Sequence, residues 1–341
     1  MSLPRKPAPA APPRPSKPPR RLVMRIVGTQ LLLAALVGVA FVVMYAGLQR
    51  DPEPDHLPVA AVGAPAAGFA QRVLGSSVTV TGVPDVASAR RAVRTGSEVA
   101  AFSSEGSVLR VYVAGPNGSA ENGAAEALGS ALARAQRRAP AVADIVPLLP
   151  FDPRGLASFY AVLGVTVGSF IVAQALYALR AIAGIRIQLG AIAAFAVLIA
   201  VAVGIVVDPV LQLLPLPLID LIPVLVLLSV AVSTTARALT AWFDSYGITA
   251  ATLLMTAVGL SISGGIIGQD LLPQPLGTIG ALLPPGAGFR TVVGLGYFGP
   301  ERAGPALAVL SAWTVVGVGG LLAHHLRSER RATADAGSAS S

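Results

Sequence analysis

Six apolar stretches, at residues 22–48, 156–179, 187–207, 219–239, 248–268 and 304–326, constrain this chain more than any other feature. Each is long enough for an α-helix to cross the hydrocarbon of a bilayer, which takes roughly 20 residues. Helices meet that demand because they satisfy their own backbone hydrogen bonds where no water is present. The chain is 54% hydrophobic and only 12% charged, with a mean hydropathy of +0.70, far more apolar than an ordinary globular protein. The expected fold is an α-helical polytopic membrane protein with six transmembrane helices and a small extracytoplasmic α/β domain between the first and second.

Loop charge gives the orientation. Residues 1–25 carry seven basic groups and no acid, in a Pro-rich tail, 1–21, that cannot bury a core and is expected to be disordered on the cytoplasmic side. The run 22–48 that follows is longer than the roughly 7–15 apolar residues of a signal peptide, so it is expected to be an uncleaved anchor. An inward N-terminus fixes the side of every later loop. The loop 180–186 carries Arg180 and Arg186 and falls inside, 208–218 has no positive charge and falls outside, and Arg237 precedes the inner loop 240–247. The C-terminal tail 327–341 is inside with Arg327, Arg330 and Arg331. Both termini are therefore expected in the cytoplasm. The Arg-, Ala-, Gly- and Val-rich composition suggests a bacterial cell membrane.

Residues 51–153 are the one sizeable polar piece, long enough for a small domain, and the stretch 50–154 holds ten basic and ten acidic groups. HLPVAAVG and SVTVTGV have the alternation of strands, with the short helix GFAQRVLG between them. DVASARRAVRTG is a helix N-capped by Asp85, with Val86, Ala89 and Val93 on one face. VAAFSS and SVLRVYVAG form a strand pair with a turn at Glu105-Gly106, and AENGAAEALGSALARAQRRA is an amphipathic helix rising toward the second span. The expected order is βαβαββα.

The segment 269–303 contains G-x-G-x-x-G at Gly294, Gly296 and Gly299, the spacing of a dinucleotide-binding turn. Pro300 follows at once where that motif needs a strand, a helix and a later acid, and topology places the segment outside, away from cytoplasmic nucleotides. Leu282, Leu283, Phe289, Val292, Val293, Tyr297 and Phe298 are too apolar for a solvated loop, so a short re-entrant helix pair is expected there.

Several chemistries lack their residues. With no cysteine and three histidines, thiolate chemistry is excluded and neither a metal nor another cofactor is expected. No P-loop sequence occurs, so any ATPase is expected to be a separate chain. Asp208, Asp220, Asp244 and Asp270 sit at span ends or in loops, and the span middles hold neutral groups such as Gln174, Ser229, Thr256, Ser261 and Ser263. That argues against a proton relay through the membrane and against an intramembrane protease. The basic tail accounts for most of the +8 net charge, so nucleic acid is not expected as a partner. The four-residue spacings Gly164/Gly168 and Gly264/Gly268 are expected to allow close packing of helices within the chain. Arg90, Arg91 and Arg94 are expected on a solvated helix face.

One inward helix, an outward α/β domain, and five helices with a re-entrant segment before the last resemble the ABC-2 type transporter permease family, in particular its YhgE/Pip-like branch. LPVAAVG is similar to that family's opening strand, and VASARRAVRTGSEVAAF to its helix-then-strand segment. FDPRGLASFYAVLGVTVGSFIVA resembles the approach to its second helix, and LLPPGAGFRTVVGLGYFG its outer segment before the last helix. The resemblance implies a permease subunit working as a dimer with a separate ATP-binding chain, exporting a hydrophobic or amphipathic substrate. It assigns partner contact to the inner-loop groups Arg180, Arg186, Arg237 and Asp244, and an outer gate to Phe289, Arg290, Tyr297 and Phe298. The alternative is a non-transporting scaffold or surface receptor, a secretion accessory or phage receptor, acting through its outer domain. No catalytic residue is expected in either case.

Overall fold

The computed structural model describes residues 20–48, 50, 53–54 and 56–338. The tail 1–19 lies outside the described residues. Among the described residues four helices are long and apolar enough to cross a membrane, namely Ala157–Ala178, Ile185–Val210, Leu218–Phe243 and Pro300–Asp335, and a small α/β domain precedes them.

The chain begins with α1 (Arg20–Val42), which widens into a π turn at Val43–Gly47. The domain then builds β1 (Leu57–Val62), α2 (Ala64–Leu74), β2 (Val78–Val83), α3 (Val86–Arg94), β3 (Ala100–Glu105), β4 (Val108–Val113), α4 (Ser119–Ala135) and β5 (Ala139–Asp144). Strand order in the sheet is β2-β1-β3-β4-β5, antiparallel only between β3 and β4. The hairpin turns at Gly106, whose φ of 58° is the left-handed conformation a glycine adopts without strain. Asp85 caps α3 by accepting the Ser88 N–H at 2.7 Å, and Ala89 and Val93 are buried, as the sequence pattern requires. Leu57, Val59, Leu109, Val111 and Leu132 fill one side of the sheet; Ala60, Ala101 and Tyr112 face α3 on the other.

The expected order βαβαββα is one strand short. α4 stops at Ala135 instead of rising into the membrane part, because Arg137 turns left-handed at φ 56° and the chain continues from Ala139, with Pro140 next, as a further strand parallel to β4. An edge position suits a proline that cannot donate to a ladder. Arg90 is also less solvated than expected: it is half-buried, its guanidinium 5.7 Å from the centre of the Tyr112 ring.

A short connection leads into α5 (Ala157–Ala178), and Asp152 starts that helix by accepting the Leu156 and Ala157 N–H groups at 3.0 and 3.1 Å. After it come α6 (Ile185–Ile205), closing in a π turn to Val210, and α7 (Leu218–Phe243). α7 is the hub, packed against α5, α6 and the last helix, with Leu221, Leu225, Leu228 and Val232 fully buried. Ser169 of α5 donates to or accepts from Ser229 of α7 at 2.7 Å, and the Ser233 hydroxyl donates to the Ser169 carbonyl at 3.2 Å.

The expected span 248–268 is only partly helical. α8 (Ser245–Thr252) and its π turn to Val258 end at Gly259, and 259–268 is irregular, with Leu260, Ile262 and Ser263 buried. Gly259, Gly264, Gly265 and Gly268 occupy this stretch, and Gly264 has a φ of 83°, so the sequence favours turns over a continuing helix. Gly264 and Gly268 thus lie on no helix seam; of the other pair, Gly168 packs on Phe195 and Ile199 within the chain while Gly164 faces open space.

Two short helices follow, α9 (Leu276–Leu282) and α10 (Pro284–Val293), then a π turn at Gly294–Phe298 and the long α11 (Pro300–Ser338). The expected tail 327–341 is therefore helical through Ser338, its alanines and charged residues prolonging the span without a breaker. Gly294 lets α11 close on this turn, since a Cβ there would meet the Ala303 backbone at 3.0 Å, and Gly299 reverses the chain at φ 99°. These are packing duties, with no dinucleotide turn.

Candidate functional site

The α/β domain and the α9–α10 region meet around a polar cavity of about 250 Å³. Four charged side chains line it from four elements: Glu121 in the first turn of α4, Asp270 in the turn 269–271, Arg290 on α10 and Arg302 near the start of α11. The Asp270 N–H donates to Glu121 Oε1 at 3.0 Å. Gly268 makes this possible, because any Cβ there would fall on the Glu121 carboxyl.

Glu121 is 5% exposed. Burial, reinforced by the neighbouring Asp270 carboxylate, pushes its carboxyl up to about 8, against the opposing pull of the Asp270 N–H and the Arg302 charge. Asp270 is raised by burial too, with Arg302 and Arg290 opposing. Among the described residues no ion pair within 4.0 Å joins these four groups. The cavity therefore sets two carboxyl groups, both raised by burial, beside two arginines that no ion pair within 4.0 Å engages among the described residues.

Of the expected gate residues, Phe289, Arg290 and Phe298 line this cavity together. Phe298 inserts into the α/β domain beside Gly96, which has φ 68° and would set a Cβ 3.1 Å from the phenyl ring. Tyr297 points elsewhere, toward Leu149 and Asp152. Sequence reasoning missed Glu121 and Arg302. Glu121 sits in a helix whose neighbours in sequence are small and polar, and nothing local announces a contact 149 residues away.

At the opposite end of the helical part, Arg180, Arg237 and Asp244 line a second cavity of about 320 Å³ with Gln188, His324 and His325. Arg186 is exposed and outside it. Arg180 pairs with Asp244 at 3.5 Å and lies over the Tyr177 ring at 4.0 Å, and the Tyr177 hydroxyl donates to Asp244. Arg237 is only 4% exposed, its Nε donating to Gln188 Oε1 at 3.0 Å and its Nη1 to Thr240 Oγ1 at 2.9 Å. Of the four inner-loop residues expected to meet a partner chain, Arg237 is thus the most enclosed of those in the cavity, its guanidinium set in the cavity wall between Gln188 and Thr240. No group of histidine and acidic side chains among the described residues has the arrangement of a metal site.

No family model matches the chain, and no curated protein or solved structure matches it either.

Proposed function

We propose that this chain is the membrane permease subunit of an ABC-2 type exporter in a bacterial cell membrane, crossing six times with both termini in the cytoplasm. It works as a dimer with a separate ATP-binding chain and moves a hydrophobic or amphipathic substrate outward. The observation that carries the proposal is the broken backbone between Gly259 and Gly299, whose short helices pack into the end of the bundle beneath the α/β domain. Interrupted helices buried in protein are a recurring device of transporters, since they leave backbone and polar groups available at depth and can shift without unravelling a whole span. A scaffold acting through its outer domain would gain nothing from such a break.

In this reading the α9–α10 pair is the outer gate, with Phe289, Arg290 and Phe298 at its contact with the domain. ATP binding to the partner would be felt at the exposed Arg186 and at the Arg180–Asp244 pair. The protein purified from its native membrane in mild detergent should carry a stoichiometric P-loop subunit whose ATPase activity is lost on replacing its P-loop lysine. Recovery alone, or with secretion components and no ATPase, would overturn export in favour of the scaffold.

A further inference from the structure

We infer that the cavity at the end of the bundle away from the α/β domain is a binding site for a phosphate group, held by Arg237 and Arg180. This does not rest on the export reading.

Arg237 carries the argument. It is 4% exposed, yet the side chains that hold it, Gln188 and Thr240, are both neutral. The centre of the Tyr177 ring lies 6.0 Å from its guanidinium carbon. A buried guanidinium without a counter-charge is costly, and structures normally supply a carboxylate or a bound anion. Among the described residues, the one carboxylate lining the cavity, Asp244, is already engaged by Arg180 at 3.5 Å and by the Tyr177 hydroxyl. Two arginines against one aspartate leave the cavity with an excess positive charge.

The rest of the wall fits the same ligand. His324 and His325 face the arginines from α11, His325 also meeting Glu329 at 3.3 Å, and Ser328 adds a hydroxyl. Arginine offers a planar fork of donors that matches phosphate oxygens, and Arg237 has spent only part of its set. The surroundings match headgroup depth: Trp242 stands edge-on to His324 with ring centres 5.8 Å apart, and the Arg327 guanidinium lies 4.6 Å from the Trp242 ring. An aromatic and basic belt of this kind marks the interface of a membrane, where basic pockets between helices take anionic headgroups. The phosphate belongs either to such a lipid or to a soluble phosphate.

The test uses the full chain, delipidated in detergent, with binding followed by native mass spectrometry and by the thermal unfolding midpoint. Three probes are added separately: phosphatidylglycerol, phosphatidylcholine and inorganic phosphate. Phosphatidylglycerol is expected to bind and raise the midpoint, with affinity lowered about tenfold or more by Arg180→Gln and further by Arg237→Gln. Since Arg237 is buried and its variant could misfold, Arg180→Gln and His324→Asn, at more accessible positions, keep the test decisive. Stabilisation by inorganic phosphate alone, lost in the same variants, would identify a soluble phosphate as the ligand and support the site equally. Equal binding of phosphatidylglycerol by the wild type and Arg180→Gln, or no response to either anionic probe, would overturn it.

Discussion

The Asp270 N–H donates to the carboxyl of Glu121 at 3.0 Å, tying the first turn of α4 to the loop that leads into the α9–α10 pair. A residue of the α/β domain thereby becomes part of the wall of the membrane portion. The contact survives protonation, since a carboxyl oxygen accepts in either state, but its energetic setting does not, because Asp270 and Glu121 repel when both are charged.

Docking of the domain should weaken as pH rises. With its folded value raised from 4.5 to about 8, Glu121 holds a proton in the folded state that the unfolded chain has lost between those limits. That contribution is fully present below 4.5, declines through the window, and is gone above about 8. Amide exchange at Asp270 measured between about pH 5 and pH 9 should show falling protection. Glu121→Gln, which keeps the acceptor and removes the charge, should abolish most of this trend and leave the protein more stable than wild type at the alkaline end.

Gly268→Ala should loosen the same contact from the other side. The new methyl would coincide with the Glu121 carboxyl, and overpacking of this kind costs about 1–3 kcal/mol. A double variant with Glu121→Ala should recover part of the loss. Strict additivity of the two in a thermal or denaturant titration would mean that the collision is not what matters.

Phe298→Ala should free the α/β domain more than it harms the helices. The ring packs beside Gly96 against the domain's cluster around Ala89, Val93 and Tyr112, and truncating a half-buried aromatic costs on the order of 1–3 kcal/mol. Limited proteolysis in the connection around residues 147–155 should accelerate in the variant, while unfolding of the helical part stays near the wild-type value. A joint collapse of both would show that they unfold as one unit.

Within the helical part, Ser229→Ala should be mild. Its hydroxyl meets Ser169 at 2.7 Å, but hydrogen bonds between membrane helices are worth about 0.6 kcal/mol on average because the unfolded chain finds other partners. A double-mutant cycle with Ser169→Ala should give a coupling of that size. A value above about 2 kcal/mol would point to a larger polar network between α5 and α7.

The elements with strong periodicity were legible in the sequence, and the breaks were not. Asp85, Ala89 and Val93 declared α3, and the apolar runs declared α5, α6 and α7 to within a few residues at most ends. The run 248–268 has enough apolar residues for a span, and only the backbone freedom of its glycines turns it aside at Gly259. β5 was hidden because Ala139, Pro140 and Ala141 carry little strand signal and are ordered by pairing with β4. Phe289 and Phe298 were visible as residues too apolar for a solvated loop and Arg290 came in with the resemblance, whereas Glu121 and Arg302 became site residues only when distant elements met. Arg237 looked like a topology marker because burial leaves no trace in a one-dimensional pattern.

α11 carries Arg302 at one polar cavity and His324 at the other, in one uninterrupted helix. The two residues are about 33 Å apart along an axis that rises 1.5 Å per residue. A helix of that kind behaves as a push-rod: an axial slip or a roll about its own axis reaches both ends at once, with no relay of side chains between them. The walls of the two cavities are in this sense one part, set by the single seat that the helix takes in the bundle.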